Sequence, residues 1–290
     1  MRLKDKIAII TGAGTGIGEA IAHKFAREGA MLVLNGLPGD PVRDVAGAIN
    51  KSGGRAEVYQ GDVSIEEEAM ACVDLAVQCF GRLDVLVSNA GIFIAWAETD
   101  DYRIEDFDRT VRNNMRTAFL MTKFSLPYLK KSRGNIICTG SEAGFNGSPN
   151  CTPYGGTKGF LHAFITGVAI EQAKYGVRAN CVCPGAIDTA WTRPGKGPMD
   201  EETADSIDNG VPMGRRGTPE EIANIFAFLA SDEASYVTGA LWLADGGITP
   251  AKGSPGIQVP EELRRTPEGV LPARHSHDGE NGKEIYRKAK

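Results

Sequence analysis

No run of about eighteen apolar residues, the length a helix needs to cross a bilayer, occurs in this sequence. The amino terminus lacks the apolar core of a signal peptide and passes straight into a strand pattern at Lys6. A cytoplasmic protein with no membrane partner is therefore expected. A basic excess is missing too: 32 Lys and Arg face 37 Asp and Glu, a formal charge of -5. Nucleic acid, which selects for a positive surface, is not an expected partner. Histidines number only four and cysteines six. The close pairs, Cys181-Val-Cys183 and His275-Ser-His277, have no second pair at ligand spacing in the sequence, so no metal site is expected and the two histidines are read as solvated. The other cysteines are scattered through apolar segments and read as buried, reduced thiols.

What the chain does have is alternation. Lys6 to Thr11 is a nearly continuous apolar run, as in a strand buried on both faces. Ile17 to Glu28 then carries Ile17, Ile21 and Phe25 at helical spacing and stops at Gly29. The same alternation gives strands at 31–35, 56–60, 84–88, 135–139, 178–182 and 240–243. Helices fall at 41–52, 66–80, within 106–131, at 154–173 and at 219–230. Strands separated by helices pair in parallel through right-handed crossovers. The expected architecture is an α/β, Rossmann-like doubly wound sheet of about seven strands, one domain over 1–248. Residues 189–216, rich in Gly, Pro, Asp and Met, are too long for a plain connection and read as a substrate lid. Residues 249–290 form a Pro- and charge-rich extension, either a tail without a chemical role or an arm over its own or a neighbouring subunit.

Chemistry concentrates at the carboxyl ends of the strands. Thr11-Gly-Ala-Gly-Thr-Gly-Ile-Gly18 joins the first strand to the first helix, and its dominant set is Gly12, Gly16 and Gly18. Glycines there let the backbone approach a pyrophosphate, which the helix N-terminus attracts. Asn89-Ala90-Gly91 follows the fourth strand and Ser141 the fifth. Tyr154 and Lys158, four residues apart on a helix, share one face. An ammonium near a phenol favours the tyrosinate and brings an ordinary pKa of about 10 towards neutrality.

Taken in order, these motifs resemble the short-chain dehydrogenase/reductase family over about Lys4 to Gly247. The resemblance includes Asp62-Val63 after the third strand, Asn114 on the long helix, Pro184-Gly185 with Thr189, and Asp245-Gly-Gly247. It implies that Tyr154 exchanges a proton with the substrate oxygen, that Ser141 holds that oxygen, and that Lys158 binds the nicotinamide ribose and lowers the tyrosine pKa. Asn114 would hold a water in a proton relay, with Asn113 as rival. The same resemblance assigns cofactor contacts to Thr15 and Ile17 in the turn, to Asn35, Gly36 and Leu37 after the second strand, and to Asp62 and Val63 at the adenine. Asn89, Ala90 and Gly91, then Pro184, Gly185, Ile187 and Thr189, would line the remainder.

At the cofactor-selecting position, where an acid would choose NAD and a base NADP, the chain has Gly36. With no visible base to meet a 2′-phosphate, NAD is expected over NADP, and Asp40 is a candidate to reach the ribose. Trp191, Met199, Val211 and Met213 of the lid, with Ile92, Phe93, Ile94 and Trp96, suggest an apolar pocket for a hydrophobic or cyclic secondary alcohol or ketone. The alternatives are a catalytically silent dinucleotide-binding regulator and a lyase on the same scaffold. The family further implies a homotetramer or homodimer.

Overall fold

The computed structural model describes residues 1–264, 271–272, 274–277 and 286–287. Four short runs of β-branched and aliphatic residues form its centre: β1 (Ile7–Ile10), β2 (Met31–Gly36), β4 (Val85–Ser88) and β6 (Asn135–Thr139), almost wholly buried. Burial on both faces explains why they read as continuous apolar runs instead of alternating ones. With β3 (Arg55–Gln60), β7 (Arg178–Pro184) and β8 (Leu241–Ala244) they make a seven-stranded parallel sheet in the order β3-β2-β1-β4-β6-β7-β8. A separate pair joins β5 (Ala95–Trp96) to β9 (Tyr286–Arg287).

Two cores lie on the two faces of this sheet. One packs α1 (Gly16–Arg27), α2 (Val42–Lys51) and α8 (Pro219–Ala230) through residues such as Phe25, Ile49 and Phe226. The other packs α3 (Glu66–Phe80), α5 (Thr117–Ser132) and α6 (Thr152–Gln172) through Val73, Met121 and Ile165. Helix α8 starts where the sequence dictates: Thr218 and Glu221 form a capping box. The order in which strands are added reverses between β1 and β4, which run parallel, and a doubly wound sheet binds ligands at the carboxyl side of such a point. No helix among the described residues is long and apolar enough to cross a membrane.

Two expectations change. The long helix expected within 106–131 is interrupted: α4 (Ile104–Val111) leads into a π-helical turn over Arg112–Arg116 before α5 begins. Asparagine side chains compete with the helix backbone; here Asn113 Nδ2 donates to Arg109 O at 3.0 Å while Asn114 turns inward. The 189–216 stretch is not all loop either, since α7 (Glu201–Gly210) forms behind an Asp200 N-cap.

Candidate active site

The turn between β1 and α1 is built for close approach. Gly16 has φ 54°, a left-handed conformation that glycine adopts without strain. A Cβ on Gly18 would fall 2.0 Å from Gly12 O, so no side chain fits there. Asn89 locks the turn to the sheet. Its Nδ2 donates to Thr11 O at 3.1 Å and Gly12 O at 3.3 Å, and its Oδ1 accepts from Thr139 Oγ1 at 2.9 Å.

A cleft of about 210 Å³ opens at this switch point. Every expected cofactor contact lines it, from Gly12 and Thr15 through Gly36, Asp62 and Asn89 to Pro184 and Thr189. Ser141, Tyr154 and Lys158 line it as well. Asn114 is the exception, one layer behind the wall and 1% exposed. Two members serve neighbouring backbone rather than the opening: Asn35 Nδ2 donates to Tyr59 O and Gly61 O at 3.2 and 3.0 Å, and Asp62 Oδ1 accepts from Ser64 N at 2.9 Å.

Lys158 is buried beside Tyr154, with Nζ 5.5 Å from the phenol ring centroid and donating to Thr139 O at 2.8 Å. Burial pulls its pKa down to about 8, against the opposing pull of the Cys181, Cys138 and Cys183 thiols. Burial also holds the Tyr154 phenol above its ordinary range, and the Ser141 hydroxyl is the neighbour that draws it back. Asn114 is pinned by three hydrogen bonds: Oδ1 accepts from Ile92 N at 2.8 Å, and Nδ2 donates to Ile92 O and Thr157 Oγ1, both at 3.0 Å. A Cβ on Gly91 would lie 3.1 Å from Asn114 Oδ1 and 3.6 Å from Lys158 Nζ, which places these two groups around one small gap.

At the other end, the place left by Gly36 is taken by Asp40. A Cβ at residue 36 would meet the Asp40 Cβ and Oδ2, each at 3.1 Å. Asp40 Oδ2 accepts from Leu37 N at 2.9 Å, and Oδ1 accepts from the backbone N–H of His277.

The apolar pocket is smaller than expected. Ile92, Phe93 and Trp191 line the cleft. The Phe93 ring packs 4.8 Å from Tyr154, and Trp96 packs edge-on against Phe93 at 5.9 Å. Ile94 and Val211 are instead buried outside the lining, and Met213 is 54% exposed.

The two histidines expected in solvent behave differently. His277 is exposed, but His275 is buried, edge-on to Trp191 at 4.8 Å and hydrogen-bonded to Lys196 O. The described part of the extension thus lies over its own chain, and Arg274 and Ser276 line the cleft. The sequence holds an arm over its own chain as one of its readings but does not mark Arg274 or Ser276 as cleft residues. The Cys181 and Cys183 thiols do share a side of β7, 3.8 Å apart, and His162 Nε2 joins them at 3.3 Å from Cys183 Sγ. Thr139, also missed, could have been found: it ends β6, where the topology places ligand contacts.

The geometry fits a dinucleotide: a glycine turn closed to any side chain, a helix N-terminus, and proton-transfer groups in one cleft. Comparison with known proteins agrees. A family model described as enoyl-(acyl carrier protein) reductase matches residues 12–249. An uncharacterized oxidoreductase of Bacillus subtilis is 36% identical over 90% of this chain and 97% of its own. The meso-2,3-butanediol dehydrogenase of Serratia marcescens is 35% identical over 89% and 100%. The solved 3-ketoacyl-(acyl-carrier-protein) reductase of Brucella melitensis, complexed with NADH, superposes with a TM-score of 0.78 at 32% identity, covering 85% and 99%. The chain belongs to the short-chain dehydrogenase/reductase family and is a nicotinamide-dependent oxidoreductase acting on CH–OH and ketone groups.

Proposed function

We propose that the protein interconverts an apolar or cyclic secondary alcohol and its ketone with NAD, using Tyr154 as the proton-exchanging group. A nicotinamide cofactor, when bound, supplies or accepts the hydride. Tyr154 gives its phenolic proton to the carbonyl oxygen in reduction and takes one from the alcohol in oxidation. Ser141 fixes that oxygen through its hydroxyl and eases loss of the phenolic proton. Lys158 holds the nicotinamide ribose and passes protons towards Asn114, which presents its amide across the gap bordered by Gly91. The single observation that carries this reading is the convergence of Ser141, Tyr154 and Lys158 on the cleft that the glycine turn begins.

Asp40 supports NAD as the partner. Its carboxylate stands at the end of β2, where two acceptor oxygens suit the paired ribose hydroxyls and repel a 2′-phosphate. Arg274 is the one observation favouring NADP, but Glu19 meets its guanidinium at 2.7 Å and Asp44 approaches to 4.0 Å. Both carboxylates compete with a 2′-phosphate for that guanidinium. The Phe93 and Trp191 rings support an apolar substrate.

Exposed apolar side chains on α4, α5 and α6, including Phe107, Phe119 and Ile170, support a homodimer or homotetramer formed through that face. Six unpaired thiols suit a reducing, cytoplasmic setting. The test is an assay with NAD and NADP against a panel of alcohols and ketones, wild type beside Tyr154→Phe. Turnover that survives the substitution would remove the phenol from the mechanism.

A further inference from the structure

The described part of the extension touches the rest of the chain at four points. Leu271 packs on the core that α1, α2 and α8 share. Arg274 pairs with Glu19 in the first turn of α1 at 2.7 Å. His275 lodges against Trp191 and the Lys196 carbonyl, and the His277 amide closes on Asp40. One short segment therefore ties together the phosphate-binding helix, the start of the lid and the loop after β2. This lies past the family match, which ends at residue 249.

Where the extension meets α1, two buried atoms lack partners among the described residues: Arg274 Nε and Glu19 Oε2. A buried N–H of a charged group left unpaired is costly, and Arg274 lines the cleft. A pyrophosphate belongs at the N-terminus of the helix to which Arg274 is tied, and a guanidinium matches phosphate oxygens in charge and geometry.

We propose that the described residues 271–272 and 274–277 form a strap closing the dinucleotide cleft and that Arg274 is a cofactor-binding residue, its Nε–H donating to a pyrophosphate oxygen. This rests on the cofactor reading above and extends it: the site is completed by the chain's own extension, and the strap must lift for the dinucleotide to leave. Glu19 holds the guanidinium in place, and the His275 contact with Trp191 couples the strap to the lid.

The test uses full-length Arg274→Met and Arg274→Lys, with the dissociation constant and off-rate of NADH and of ADP-ribose as readouts. ADP-ribose carries the pyrophosphate without the nicotinamide, so turnover is not needed. Arg274→Met should weaken both ligands by about tenfold, as loss of a charged hydrogen bond implies, chiefly through a faster off-rate, with Arg274→Lys intermediate. Full-length His275→Ala, which leaves Arg274 intact, should also speed release. Wild-type affinity and off-rate in both Arg274→Met and His275→Ala would overturn the inference while leaving the cofactor reading standing. Should Arg274→Met fail to fold, unchanged release in His275→Ala alone overturns it. A wild type that binds neither NAD, NADP nor ADP-ribose would instead remove the cofactor reading itself.

Discussion

The carboxylate of Asp40 reaches within 3.1 Å of the point where a Cβ on Gly36 would begin. Residue 36 can be glycine because an acid four residues on fills its place, and the two positions compete for one volume.

Asp40→Ala should lower kcat/KM for NAD by about tenfold or more, the scale of a lost charge-assisted hydrogen bond, and narrow discrimination against NADP. Gly36→Asp alone should also impair NAD use, by crowding Asp40. The double change Gly36→Asp with Asp40→Gly should recover much of it. Steady-state kinetics with both nucleotides decide, and recovery in the double variant is the informative arm.

Lys158 links stability to pH. Its folded pKa, about 8, lies below its ordinary value of 10.5, so between these values the unfolded chain binds more protons and stability rises with pH. The burial penalty, on the order of 3 kcal/mol, is complete below about pH 8 and gone above about 10.5. Relative to Lys158→Met, the wild type should therefore gain stability as pH rises through this window. Paired urea titrations at pH 7 and pH 10 measure the change, and a constant difference would contradict it.

Tyr154→Phe should cost about two to four orders of magnitude in kcat, the usual worth of a positioned proton donor. Affinity for the nucleotide should hold, because the phenyl ring keeps its packing on Phe93.

Phe93→Ala should raise KM for apolar ketones by about tenfold or more, in line with about 2–3 kcal/mol for a buried aromatic contact, while nucleotide affinity stays within about twofold. Substrate and nucleotide titrations on the same preparation separate the two.

Asn114→Ala should destabilise the protein by about 2–4 kcal/mol, since it strips partners from Ile92 N, Ile92 O and Thr157 Oγ1 in a buried setting. Urea unfolding measures this directly.

Much of this was legible beforehand. The strand at 135–139 and the helices at 66–80 and 219–230 have the bounds expected of them, because local chemistry sets them: left-handed Gly81 ends α3, and Thr218 with Glu221 starts α8. The glycine turn, Asn89 and Ser141 were visible because parallel strands deliver their carboxyl ends to one edge, and Tyr154 because it stands one helical turn from Lys158. What stayed hidden depends on partners distant in sequence. Arg274 meets Glu19 across 255 positions, and His162 meets Cys183 across 21. Ile94 and Val211 looked like pocket residues because an apolar side chain reads the same in a wall as in a core.

The π-helical turn at Arg112–Arg116 makes the position of Asn114 a matter of phase. A π-bulge holds one residue more than the α-helix around it, and each α-helical residue turns the chain by about 100°. Deleting one residue ahead of Asn114 would let α4 and α5 fuse into an uninterrupted helix with a regular hydrogen-bond ladder. The same deletion would swing the amide away from Ile92, Thr157 and the gap it shares with Lys158. Regularity and function are opposed here across a single residue, so an insertion that looks like a flaw in the helix sets the direction in which the site is aimed.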